Sequence, residues 1–149
     1  MRAVVQRVAF ADVNVEGNTV GKIGEGLLVL VGAMQGDTVK DAEYIVKKCV
    51  NLRIFKDEQD KMNLSVQDIG GEILVVSQFT LLGDARKGNR PSFILAGSPE
   101  ESRGIFDKTV ELFKQTGINI NTGEYGAHMK VSLLNDGPVT ILLDSRKVF

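Results

Sequence analysis

The sequence predicts an α+β fold: a strongly bent antiparallel or mixed β-sheet, or a barrel, with two helices packed on it. Three observations carry this. Only two segments place apolar residues at helical spacing. Strand-like segments outnumber them and separate one from the other. Residues 27–31 and 72–82 are apolar at nearly every position, as expected of strands covered on both faces.

Taken in order, residues 2–10 are rich in Val and begin a strand. Asp12-Val13-Asn14-Val15 alternates polar with apolar up to the turn signal Glu16-Gly17-Asn18. Leu27 to Val31 is a short buried strand between Gly26 and Gly32. From Thr38 to about Leu52 the period becomes helical through Val39, Ala42, Ile45, Val46, Cys49 and Val50, with Thr38 and Asp41 in capping-box positions. Residues 72–82 form the second buried strand. The second helix opens at Ser98-Pro99-Glu100-Glu101, where Ser98 caps, Pro99 suits the first turn and Glu101 reaches back. Its buried stripe is Ile105, Phe106, Thr109, Val110 and Phe113, and Gly117 stops it. Tyr125 to Leu134 alternates with period two, Asn135-Asp136-Gly137-Pro138 reads as a turn, and Val139, Ile141 and Leu143 define a last strand.

With 149 residues, 43% hydrophobic and 25% charged, the chain is expected to form one domain, residues 1–149. A chain of this length buries roughly 68–70% of the surface its unfolded form exposes, so a core forms without disulfides. There is no repeat, low-complexity tract or linker to mark a boundary. The single Cys49 excludes an internal disulfide framework and fits a reducing compartment, and its place on the apolar face of the first helix makes it a small buried hydrophobe. One histidine and one cysteine exclude zinc fingers and His-rich zinc sites, while carboxylate-only magnesium sites stay open. No run approaches the ~20 apolar residues of a membrane-spanning helix, and the start lacks a signal-peptide pattern, so a cytoplasmic protein is expected. Lys+Arg 18 against Asp+Glu 19 gives a net charge of −1, which excludes a global footprint for wrapping nucleic acid but leaves a local contact open.

Chemistry could reside at four places. Ser77-Gln78-Phe79-Thr80 interrupts an apolar strand, and a buried unpaired hydroxyl or amide costs roughly 1–3 kcal/mol. These groups are therefore either tied to neighbouring backbone or placed where the strand opens to a ligand. A regular strand sends Gln78 and Thr80 to one face and Ser77 and Phe79 to the other, so joint action needs a bulge or a strand end. The only histidine, His128, shares a face with Lys130 and Ser132 and reads as a surface residue, which leaves Ser77 and Thr80 without an evident base. Residues 83–92 gather Arg86, Lys87 and Arg90 with two glycines, a composition suited to phosphate or to a solvated loop. Pro138 marks a turn or a strand edge, since it cannot donate to a ladder.

Together these segments resemble the D-aminoacyl-tRNA deacylases. The resemblance runs through Met1-Arg2-Ala3-Val4-Val5-Gln6-Arg7-Val8, Asn51-Leu52-Arg53-Ile54-Phe55, Ser77-Gln78-Phe79-Thr80-Leu81, Lys87-Gly88-Asn89-Arg90-Pro91-Ser92-Phe93, Gly126-Ala127-x-Met129 and Asn135-Asp136-Gly137-Pro138-Val139-Thr140. It implies a homodimer with active sites at the subunit interface, acting on the tRNA acceptor end esterified to a D-amino acid or glycine, without cofactor or metal. Ser77, Gln78, Phe79 and Thr80 would form the catalytic pocket of one subunit. Gly137-Pro138, cis in this family, would enter from the other, held by Arg7. Tyr125 and Met129 would contact substrate, and Tyr125 departs from the family's usual Phe by an extra hydroxyl.

The implied chemistry is coherent. Rigid backbone placed where an L side chain would point rejects every L residue by collision, while D residues point outward and glycine has no side chain to collide. The ester is already activated, so a vicinal 2′-hydroxyl and backbone N–H groups near Phe79 and Thr80 suffice for catalysis. The competing mechanism uses Thr80 as nucleophile or water-orienting group. A reading from another class is a dimeric module that binds a nucleotide or metabolite without turnover.

Overall fold

The computed structural model describes residues 1–149. Its spine is β1 (Arg2–Val15), 14 residues long. One edge of β1 is shared by β2 (Asn18–Ile23) and β3 (Gly26–Gly32), both antiparallel to it and in one continuous register, with Ala11 opposite Ile23 and Val8 opposite Gly26. Its other edge carries β8 (Lys130–Asp144), antiparallel from Asn14–Lys130 to Arg2–Asp144. Beyond β3 lie β6 (Glu72–Ser77) and β7 (Asn119–Thr122), each parallel to its neighbour.

The sheet bends until it nearly closes. A Cβ at Gly21 of β2 would lie 2.3 Å from the Thr122 carbonyl oxygen of β7, so only glycine allows the two ends to approach. Two apolar clusters result. Leu27, Val29, Val31, Ile73 and Val75 face the larger one, beneath α1 (Val39–Asn51) and α2 (Pro99–Lys114). Leu28, Leu74 and Val76 face the smaller one inside the bend. The runs at 27–31 and 72–77 are thus apolar throughout because both faces are covered.

Both helices start as their sequences require. The Asp41 carboxylate accepts from the Thr38 amide at 2.8 Å, and in α2 Ser98 and Glu101 exchange reciprocal bonds. Cys49 is fully buried on α1, and burial pushes its thiol up to about 12. A short hairpin of β4 (Phe55–Lys56) and β5 (Met62–Leu64) follows α1. No helix is long and apolar enough to cross a membrane.

Three expectations are corrected. The strand at 72–82 ends at Ser77, and a 3-10 turn, Phe79–Leu82, continues it. Residues 125–129 form a turn rather than a strand, since Gly126 has a φ of +77° and β8 begins only at Lys130. Residues 135–138 do not reverse the chain, because β8 runs through them. Thr140 pairs with Gln6 and Asn135 with Val8, so residues 136–139 stand opposite Arg7 alone and bulge from the ladder. The Asn135 side chain closes this bulge, accepting from the Val139 amide at 2.8 Å and donating to its carbonyl at 3.0 Å. Local turn chemistry was present, but it serves a bulge.

Candidate active site

The end of β6 opens one cleft. Gln78 donates its amide to the Val31 carbonyl at 2.7 Å, the last bond of the β3–β6 pairing, and the chain then coils into the 3-10 turn. That strand end is the geometry Ser77 and Gln78 need to face the same space. The cleft measures about 470 Å³, with Ser77, Gln78 and Phe79 on one wall and Tyr125 to Met129 on the other. Phe79 is 57% exposed and packs edge-on against Phe93, ring centroids 5.1 Å apart.

Thr80 lies just outside the lining, and its hydroxyl accepts a hydrogen bond from the Gln78 side-chain amide. The ladder of the turn begins with the Leu81 amide donating to the Gln78 carbonyl. The preceding Phe79 and Thr80 amides thus stand at its open amino end, where donors have no partner within the turn. His128 reaches the rim of the cleft yet hydrogen-bonds to neither Ser77 nor Thr80. No side-chain cluster is arranged to hold a metal ion. What the cleft offers chemically is apolar walls, amide and hydroxyl donors, and no base-activated nucleophile.

Tyr125 is fastened within its wall of the cleft. Its hydroxyl donates to the Pro99 carbonyl at 3.2 Å, and its ring packs on Phe106 at 5.6 Å. The hydroxyl that distinguishes it from Phe therefore fastens the turn at 125–129 to the start of α2.

Gly137 and Pro138 lie elsewhere. They project from the β8 bulge, exposed, joined by a cis peptide, and line no part of the chain's own cleft. Arg7, only 5% exposed, holds the bulge from behind: Nε donates to the Asp136 carbonyl at 2.8 Å and Nη1 to the Ile54 carbonyl at 2.5 Å. The Asp136 carboxylate lies 3.5 Å from Arg7 Nε, so the buried guanidinium has both hydrogen bonds and a counter-charge. Within one chain, then, Ser77, Gln78, Phe79, Tyr125 and Met129 come together, Thr80 borders them, and Arg7, Gly137 and Pro138 form a separate unit.

Gly97 and Ser102 also line the cleft and were not singled out from sequence. A Cβ at Gly97 would lie 2.8 Å from Ser102 Oγ, so a larger residue there would displace the Ser102 hydroxyl. Ser102 stands four residues before Phe106 and seven before Thr109, so helical spacing alone places it on the buried face. In the basic loop, Arg86 Nη2 meets the Asp84 carboxylate at 2.6 Å, and the hydrogen bonds from Arg86 hold that carboxyl well below its usual range. Lys87 and Arg90 are left as the loop's uncommitted cations.

Residues 4–144 match the family described as D-Tyr-tRNA(Tyr) deacylase. A protein of Clostridium botulinum (strain Eklund 17B / Type B) named D-aminoacyl-tRNA deacylase is 58% identical over 149 residues, covering all of both chains. The solved structure titled c-Myc DNA Unwinding Element Binding Protein superposes with a TM-score of 0.91 at 45% identity, over 97% of this chain and 98% of that one. A second, titled as a probable eukaryotic D-amino acid tRNA deacylase, shares the fold with a TM-score of 0.81 at 16% identity, over 95% and 97%.

Proposed function

The chain belongs to the D-Tyr-tRNA(Tyr) deacylase family, and from that premise we propose how its two separated units make one site. The protein is a D-aminoacyl-tRNA deacylase, a hydrolase that cleaves the ester between a D-amino acid and tRNA. The observation that carries this is identity of 58% along the entire length of a relative bearing that name.

In our reading the enzyme is a cytoplasmic homodimer, and the Gly137-Pro138 bulge of each subunit enters the cleft of its partner. Support comes from the exposure of this dipeptide outside its own chain's cleft, and from the surface beside it. Leu134 and Leu142 of β8 are 54% and 58% exposed, and Phe10, paired with Leu134, is 43% exposed. Exposed apolar side chains flanking the bulge on both sides favour a second copy.

Discrimination then follows from backbone. The bulge occupies the direction an L side chain would take, D residues point theirs away, and glycyl-tRNA is admitted because glycine has no side chain to collide. Fastening by Arg7 and Asn135 keeps the bulge rigid enough to exclude rather than yield.

Hydrolysis uses the 2′-hydroxyl of the terminal ribose to assist water, while the Phe79 and Thr80 amides stabilise the oxyanion. The lack of any base bonded to Ser77 or Thr80 supports this over a hydroxyl nucleophile. Ser77, Gln78, Phe79 and Thr80 shape the reacting end, and Tyr125 and Met129 the opposite wall. Incubation with matched D- and L-aminoacyl-tRNA tests the activity: release from the D form alone is expected, and equal release, or none, would overturn it.

A further inference from the structure

A second cavity adjoins the cleft. It measures about 550 Å³ and lies across the Ala127–His128 turn, whose residues line both spaces. Its walls come from the end of β1, the β1–β2 turn and the start of β8. Asn14 and Lys130 face one another across the ladder there, and Glu16, Asn18 and Glu124 complete the lining. The two spaces differ in character: the cleft has Phe79, Tyr125 and Met129 in its walls, whereas half of this cavity's lining residues carry charged or amide side chains.

The amides of this lining brace the turn, and its charged groups are left unpaired. The Gly17 amide donates to Asn14 Oδ1 at 3.0 Å, which fixes the turn and sets Glu16 at a φ of +50°. Glu16, Glu124 and Lys130 form no ion pair within the chain. Two free carboxylates acting as acceptors beside one free ammonium make a specific demand on a ligand. It must offer an amino donor to the carboxylates and an anion to the lysine.

We propose that this cavity is the subsite for the nucleotide preceding the terminal adenosine, reading the exocyclic amine of its base. The inference rests on the deacylase reading, which places the aminoacyl-adenosine in the adjoining cleft. The strand must leave that cleft, and the Ala127–His128 turn is the shared wall it crosses. Lys130 then meets the bridging phosphate, while Glu16 and Glu124 accept from the base amine, as carboxylates do from cytosine N4. Cytosine, which precedes the terminal adenosine in every tRNA, satisfies them. Uracil presents a carbonyl at the same position and is repelled.

The test compares three minimal substrates carrying the same D-amino acid: the aminoacyl ester of adenosine, of the dinucleotide CpA and of UpA. For the wild-type chain, kcat/KM is expected to be at least about tenfold higher for CpA than for UpA, chiefly through KM, because one good base-edge pairing discriminates to that degree. The double variant Glu16→Gln, Glu124→Gln should lose most of this preference, and Lys130→Ala should raise KM for both dinucleotides. All variants should cleave the adenosine ester as the wild type does, which also shows that they fold. Equal kcat/KM for adenosine, CpA and UpA esters, or a Lys130→Ala defect equally large on the adenosine ester, overturns the subsite alone. Failure of the wild type on all three and on D-aminoacyl-tRNA overturns the deacylase reading and the subsite with it.

Discussion

Arg7 and Asp136 are joined twice, the guanidinium Nε donating to the Asp136 carbonyl at 2.8 Å and standing 3.5 Å from its carboxylate. Because Arg7 also donates to the Ile54 carbonyl, one buried side chain ties the β8 bulge to the segment after α1. Arg7→Ala removes the donors of two carbonyls, a loss of about 1–3 kcal/mol for groups left unsatisfied. Denaturant unfolding should show that loss, and D-aminoacyl-tRNA cleavage should fall with it as the bulge loses its rigidity. A variant of normal activity would show that the bulge needs no fastening.

Thr80 makes a different prediction. Its hydroxyl is bonded by Gln78 and lies outside the cleft lining, so Thr80→Ala should keep turnover within about tenfold of wild type. Removing a true nucleophile costs several orders of magnitude. A trapped acyl-Thr80 species would refute this. Substrate ending in 2′-deoxyadenosine with a stable 3′ ester should be cleaved far more slowly, and unchanged cleavage would exclude 2′-hydroxyl assistance.

Salt dependence should be shallow. The chain carries a net charge of −1, and Arg86 is committed to Asp84, leaving Lys87 and Arg90 of that loop, with Lys130, for phosphate. Two to four neutralised phosphates give a log–log slope of roughly −1.5 to −4. Binding measured between low and moderate salt should fall at the gentler end of that range, whereas a slope near −10 would demand a wrapping surface.

Cys49 should be inert. Its thiol is raised from 9.0 to about 12 by burial, so the folded protein holds a proton that the unfolded chain releases near its ordinary value. Its contribution to stability is complete below about pH 9 and declines from there towards pH 12. Alkylation at pH 8 should label the unfolded chain and spare the native one, and rapid native labelling would contradict the burial.

Much of this fold is legible in residue order. The runs at 27–31 and 72–77, the helical stripe from Ala42 to Val50 and the Ser98–Glu101 cap all report local physics, and local physics decides them. The failures share a cause. Asn135 to Pro138 carries turn chemistry whether the chain reverses or bulges, and the choice depends on β1 lying alongside with Arg7 at the centre, a partner 129 residues away. Likewise the alternation at 125–134 is real in composition, but Gly126 with φ of +77° breaks it into a turn. Ser77 and Gln78 stood out because polar groups interrupt an apolar strand. Gly97 and Ser102 carry no such contrast, and only the packing of a loop on α2 brings them to the cleft.

The intersubunit site is tested most directly by mixed dimers. Gly137→Val places a Cβ 2.6 Å from the Val139 amide nitrogen, which displaces the bulge, while Ser77→Trp fills the cleft. Each homogeneous dimer, once shown to fold and associate, should be inactive on D-aminoacyl-tRNA. A dimer of one chain of each kind holds one pocket in which an intact cleft meets an intact bulge, so about half the wild-type turnover per dimer is expected. A mixed dimer that remains inactive after subunit exchange has been confirmed would contradict a site built from both chains.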